Sequence, residues 1–153
     1  MNDPSQHLKA AIGFLDLGMA QDAWDELEKL PEFLRDRDAV LDLRIEIFQK
    51  LDKWESARVL AESLAKRSPE NLNWWVHWAY SLRREKSVEA ARAVLLKAAA
   101  IHPNEALIPY NLACYACVMG QTESAKKLLK TALEMYPDLR LRALNDPDLE
   151  SIF

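Results

Sequence analysis

The stretch LNWWVHWAYSLRREKSVEAARAVLLKAAAIHPNE, residues 72–105, decides the fold. Its second half sets Val88, Ala91, Val94, Leu95, Ala98 and Ile101 at three- and four-residue steps, which gathers them into one stripe along a helix. Its first half spaces Trp75, Trp78, Ala79 and Leu82 in the same way. Pro103 lacks an amide hydrogen and closes the second helix. Two such helices make a hairpin, and a lone hairpin with two apolar stripes needs neighbours to cover them.

The rest of the chain supplies those neighbours. Shifted against itself by 34 residues, the sequence aligns with no insertion or deletion, giving copies at 4–37, 38–71, 72–105 and 106–139. Ala23, Ala57, Ala91 and Ala125 share one position, and Pro69, Pro103 and Pro137 share another. In the first helix Ala11, Ile45, Ala79 and Ala113 coincide, and in the second Leu27, Ala61, Leu95 and Leu129. The shared alanine falls where the two helices of a hairpin approach most closely, so a larger side chain there costs about 1–3 kcal/mol by overpacking. Gly18 and Gly120 mark the turns inside the first and last hairpins, and Asn71 and Asn104 stand as candidate caps for the helices that follow.

These residues resemble the tetratricopeptide repeat, with the third copy the clearest through Trp75, Trp78, Ala79, Leu82, Ala91, Leu95, Ala98 and Pro103. The fourth copy, with YNLACYACVMG from Tyr110 to Gly120, is similar to bacterial members. The resemblance covers Pro4 to Leu139 and implies an all-α, right-handed superhelical solenoid of antiparallel helix pairs, one domain over residues 1–153. Residues 140–153, broken at Asn145-Asp146-Pro147, are expected to cap the apolar end of the array. Several positions depart from the pattern. His7 and Ala10 replace large residues, Pro31 interrupts a helix, and Arg35 stands where the closing proline belongs. Pro109 delays the start of its helix, and Arg44 occupies an apolar position, as a side chain reaching solvent or as part of a local salt bridge.

Composition sets the outer limits. Half of the 153 residues are apolar and 29% charged, as in a folded helical protein. A net charge of -4 opposes nucleic-acid binding, which needs clustered Lys and Arg to neutralise phosphates. No apolar run reaches the length needed to span a bilayer, and with two cysteines only, the chain reads as cytoplasmic. The first copy holds 4 basic and 7 acidic residues and the third 5 and 3, a gradient that fits solvated faces and could also promote head-to-tail association.

The family pattern places the first helix of every copy along a concave wall where members bind peptides. It implies a groove of Leu8 and Ile12, then Asp42, Glu46 and Gln49, then Asn73, His77, Tyr80 and Arg84, then Tyr110, Asn111 and Cys114. Tyr80 and Arg84, four apart, are expected to face a ligand together, against the alternative of a solvated helix face. Some members clamp an acidic chaperone tail through Lys, Asn and Arg. The matching positions here are Leu8, Ile12, Leu43, Asn73 and His77, or Asp42, Glu46, His77, Leu107 and Asn111, and neither set suits a carboxylate. With Asp42 and Glu46 in the groove, a positively charged ligand end fits better.

Other signals point away from catalysis. Cys114 and Cys117 form a CxxC in mid-helix rather than at a helix start after a strand, which favours packing over thiol exchange or half a zinc site. His7, His77 and His102 are too dispersed for a triad, although His77 is expected near Glu46. Trp74, Trp75 and Trp78 read as core rather than a ligand cage, and no glycine-rich phosphate loop is present. The expectation is a non-catalytic protein-interaction module with no cofactor or metal and a protein or peptide partner. The alternatives are a self-assembling subunit using Leu8, Ile12 or Leu43, and thiol or metal chemistry at the CxxC.

Overall fold

The computed structural model describes residues 3–153 and, among them, contains helices and turns but no strand. Four hairpins follow one another: α1 (Pro4–Asp16) with α2 (Ala20–Glu28), α3 (Asp38–Lys50) with α4 (Trp54–Arg67), α5 (Leu72–Glu85) with α6 (Val88–Ile101), and α7 (Leu107–Val118) with α8 (Thr122–Met135). The second helices begin at residues 20, 54, 88 and 122, a constant step of 34, and three of the first helices begin at 4, 38 and 72. The fourth, α7, starts one residue late, with Pro109 in its first turn, where a missing amide hydrogen costs no helical bond. Each helix packs on the next in sequence, the arrangement of a solenoid rather than a closed bundle.

The repeated alanines explain this regularity. Ala23, Ala57, Ala91 and Ala125 are all completely buried, as are Ala11, Ile45 and Ala113 at the shared first-helix position. The turns differ for local reasons. Gly18 and Gly120 adopt φ of 77° and 80°, and Asp52, at the same register, is driven to 57° without glycine's freedom. The third hairpin avoids that conformation because Ser87 caps α6, its hydroxyl accepting from the Ala90 amide. Asn71 caps α5 by accepting from the Asn73 amide. Asn104 does not act in this way, because α7 begins after Ala106 and carries no side-chain cap.

The first copy is shortened, as Pro31 foretold: α2 stops at Glu28 and a 3-10 turn, Glu32–Leu34, follows. Arg35, in place of the closing proline, donates to the carbonyls of Leu30 and Glu28, which ties that turn down. Helix α3 is buried on two sides. Leu41 and Ile45 join the large core, while Val40, Leu43 and Ile47 pack on the first hairpin. Leu43 is therefore not available for contact with another chain. Between these faces Arg44 is buried, with its guanidinium 3.0 Å from Glu28 and 4.4 Å from the centre of the Trp24 ring, so the local ion pair is what the chain adopts.

Beyond α8, a short helix α9 (Leu139–Leu144) and a 3-10 segment, Pro147–Ile152, fold back. The latter packs against α7, and Ala143 and Leu149 are wholly buried. The tail thus covers part of the first helix of the fourth hairpin.

Candidate protein-binding groove

The first helices α3, α5 and α7, together with the tail, enclose an open pocket of about 360 Å³ lined by Gln49, Val76, His77, Tyr80, Arg83, Leu107, Asn111, Cys114, Tyr115, Arg142, Asp146 and Asp148. Residues 34 apart contribute to it in columns, Gln49 with Arg83 and His77 with Asn111. The repeat itself therefore aims successive first helices at one wall.

The upper part of this wall is polar. His77 Nε2 lies 2.7 Å from Asp42 Oδ1, and Asn73 Nδ2 lies 3.4 Å from the same oxygen. Gln49 Nε2 donates to the hydroxyl of the buried Ser81 at 3.1 Å and stands 3.4 Å from His77 Nδ1. Glu46 lies beside this group, but the direct carboxylate partner of His77 is Asp42, which differs from the pairing expected from the sequence. Asp42 sits one turn before Glu46 on α3, and it takes the nearer position to the imidazole. Burial, followed by the Asp42 charge, raises the Glu46 carboxyl above its ordinary range.

Tyr80 and Arg84 are exposed and act on one ring, that of Trp54 at the start of α4. Tyr80 meets it edge to face at 5.6 Å, and the Arg84 guanidinium lies 4.7 Å from its centre. Their aromatic and cationic surface is held in place before any ligand arrives.

The lower part is closed by the tail. Tyr110 is completely buried and donates to Asp146 Oδ2 at 2.8 Å, while Cys114, also buried, lies 3.6 Å from the same oxygen. Cys114 lines the pocket where the tail meets it, whereas Tyr110 is not among the lining residues, because the tail covers this part of α7. Burial, then Asp146, pushes the Cys114 thiol and the Tyr110 hydroxyl well above their usual pKa. Cys117 Sγ lies 2.9 Å from Ser151 Oγ. Both sulfurs contact the tail, and the Cys114 thiol, held protonated by burial, is a poor nucleophile or metal ligand.

Arg83 fixes the same segment, donating through Nη1 and Nη2 to the two Asp148 oxygens at 2.7 and 2.9 Å. Arg83, Asp146 and Asp148 were absent from the sequence-based groove. Arg83 was accessible to it, standing 34 residues after Gln49. The two aspartates were not, since their position depends on how the tail folds back. Leu8 and Ile12 lie away from this pocket: Leu8 lines a separate apolar one with Leu30, Leu34 and Val40, and Ile12 is exposed. The tryptophans follow the packing reading. Trp74, Trp75 and Trp78 are buried, Trp75 stacks on Trp78 at 5.4 Å, and its Nε1 donates to the Pro69 carbonyl.

No family model matches the chain. It is 33% identical over 132 residues to lipopolysaccharide assembly protein B of Haemophilus influenzae, a match covering 83% of this chain and 32% of that protein. The chain thus spans about a third of the length of that relative. Among solved structures it superimposes on a thermophilic TPR protein of Thermus thermophilus with a TM-score of 0.77 at 17% identity, over 98% of this chain and 81% of that one. Repeat register, buried alanines and this superposition agree that the chain is an all-helical solenoid with the tetratricopeptide-repeat fold.

Proposed function

We propose that the chain is an adaptor that holds a segment of another protein along the wall formed by α3, α5 and α7, through preformed shape and without covalent chemistry. The observation that carries this reading is the open pocket between those helices, with Tyr80, His77 and Asn111 presented together beside apolar Val76 and Leu107. Rigid helices spare a partner the cost of ordering the site, and a mixed lining gives both area and direction. Asp42 and Glu46 at one end favour a segment that brings positive charge there. The likeness to a protein named for lipopolysaccharide assembly fits a part in an assembly task. No helix among the described residues is long and apolar enough to cross a membrane. The buried free thiols support a reducing compartment, and on this reading the protein works in the cytoplasm.

Affinity capture from the native host tests it, with Tyr80→Ala/Asn111→Ala as the groove variant and Lys126→Ala, on α8 away from the pocket, as control. The partner should be retained by the control and lost from the groove variant. Equal recovery on both would remove the groove from the account.

Self-assembly is a second reading, favoured by large apolar side chains left open at both ends of the array. Leu17 and Phe33 lie in the first copy and Leu141, Leu144 and Phe153 in the tail. Sedimentation at rising concentration separates the two, since an adaptor stays monomeric while an end-to-end assembly grows.

A further inference from the structure

Glu46 stands out on the groove wall. Among the described residues its carboxylate has no hydrogen bond or ion pair, although it is partly buried and lies next to the carboxylate of Asp42. One ligand atom each from Asp42, Glu46 and His77 lie within 4.8 Å of one another. Asp42 and Glu46 are one turn apart on α3, so both point to the same side, and His77 reaches them from α5. The facing charges from the surrounding elements are Asp16 of α1, which adds negative charge, and Lys50 of α3, which offsets part of it. Asp42 is met by His77 and Asn73, but the Glu46 carboxylate beside it is met by no donor among the described residues, and a cation between them would satisfy it.

We infer that Asp42, Glu46 and His77 form a binding site for one divalent first-row metal ion on the groove wall. Two carboxylate oxygens and one imidazole nitrogen are a donor set suited to Zn²⁺ or Mn²⁺, with the remaining positions open to water or to a donor from a bound partner. His77 Nε2 and Asp42 Oδ1, now 2.7 Å apart across a hydrogen bond, would move apart to take neighbouring positions at metal distances of about 2.0–2.2 Å. A turn of the Gln49 amide, whose Nε2 faces Ser81 and His77 in the structure, would supply a support for the imidazole. With its hydrogen on Nδ1, His77 leaves Nε2 free for the metal. Gln49, its amide turned so that the oxygen faces the pair, then accepts from His77 Nδ1 and from the buried Ser81 hydroxyl. The ion takes the place of the proton between His77 and Asp42, and that proton is relocated to Nδ1. Glu46 supplies the third bond and gains the partner it lacks. The second such cluster, Cys114 with Asp146 and Asp148, is unsuited, because Arg83 occupies Asp148 and burial holds the thiol protonated.

The test is calorimetric titration of the chelator-treated full chain with ZnCl₂, MnCl₂ and MgCl₂ in a non-coordinating buffer, with ¹H–¹⁵N spectra of the imidazoles recorded in parallel. One equivalent of Zn²⁺ should bind at micromolar concentration or below, Mn²⁺ more weakly, and Mg²⁺ not at all over the same range. The His77 nitrogens should shift while those of His102 stay. Glu46→Gln and Gln49→Leu should each weaken Zn²⁺ by about tenfold or more, and His77→Ala should abolish binding. Cys114→Ala should leave it unchanged. Glu46→Gln keeps the side-chain shape, so it decides the matter even if another variant folds poorly. Binding only at millimolar Zn²⁺, undiminished binding by Glu46→Gln, or loss in Cys114→Ala would overturn the assignment. The proposal does not rest on peptide capture, and either can fail alone.

Discussion

Leu149 offers the strongest check on how the array is closed. It lies in the 3-10 segment Pro147–Ile152, is completely buried, and belongs to the main core with residues of α5, α7 and α8. Burying a leucine stabilises by about 1.5–3 kcal/mol, and cutting it to alanine also leaves a cavity, which brings typical losses to about 2–5 kcal/mol. The segment cannot relax freely into that cavity. Arg83 holds Asp148 and Tyr110 holds Asp146 just before Leu149, and Cys117 meets Ser151 just after it. We therefore expect Leu149→Ala to cost about 3 kcal/mol, roughly two powers of ten in the folding equilibrium. For a urea slope near 2 kcal/mol/M, the midpoint should fall by about 1.5 M. Unfolding should be followed by far-UV circular dichroism and by tryptophan fluorescence, which reports the stacked Trp75 and Trp78 in α5. Coincident transitions with an unchanged slope would show that the tail and the array unfold together. A loss below about 1 kcal/mol, with the midpoint hardly moved, would refute the view that the tail completes the core.

Three further outcomes follow from the same geometry. Asp52→Gly should raise stability by about 0.5–1 kcal/mol, since it relieves a side chain from φ of 57°, and a lower urea midpoint would contradict this. Hydrogen bonding from Arg58 at 2.7 and 3.1 Å holds the Glu85 carboxyl below its ordinary value of 4.5, so the pair stabilises the fold above that pH and loses its effect as pH falls through the lowered value. The difference in Tm between the native chain and Glu85→Gln should thus shrink on acidification from pH 7 to pH 3, and a constant difference would exclude the pairing. Cys114 and Cys117, buried under the tail, should react with a disulfide reagent far more slowly in the native chain than in urea. Rapid labelling of the folded protein would mean that the tail opens readily.

The sequence determined the helices, their pairing and their register, because a 34-residue repeat of apolar and small residues admits one kind of packing. Ala91 and its three counterparts could be placed in the core from spacing alone, and all are buried. Of the groove residues that the family resemblance implied, Gln49, His77, Tyr80, Asn111 and Cys114 line the pocket between the first helices. Strict periodicity assigns equal surroundings to equal positions, and that is where it stopped being a guide. Leu43 and His77 share a register, yet one is sealed against the shortened first hairpin and the other lies in the groove. Glu46, Tyr80 and Cys114 share another, yet the last is buried by the tail. The shortened first hairpin and the tail break the translational symmetry of the array, and the tail's contacts come from residues outside the repeat. Which inner-face side chains stay open, and whether His77 meets Asp42 or Glu46, was decided only by the folded chain, where distant segments compete for the same surface.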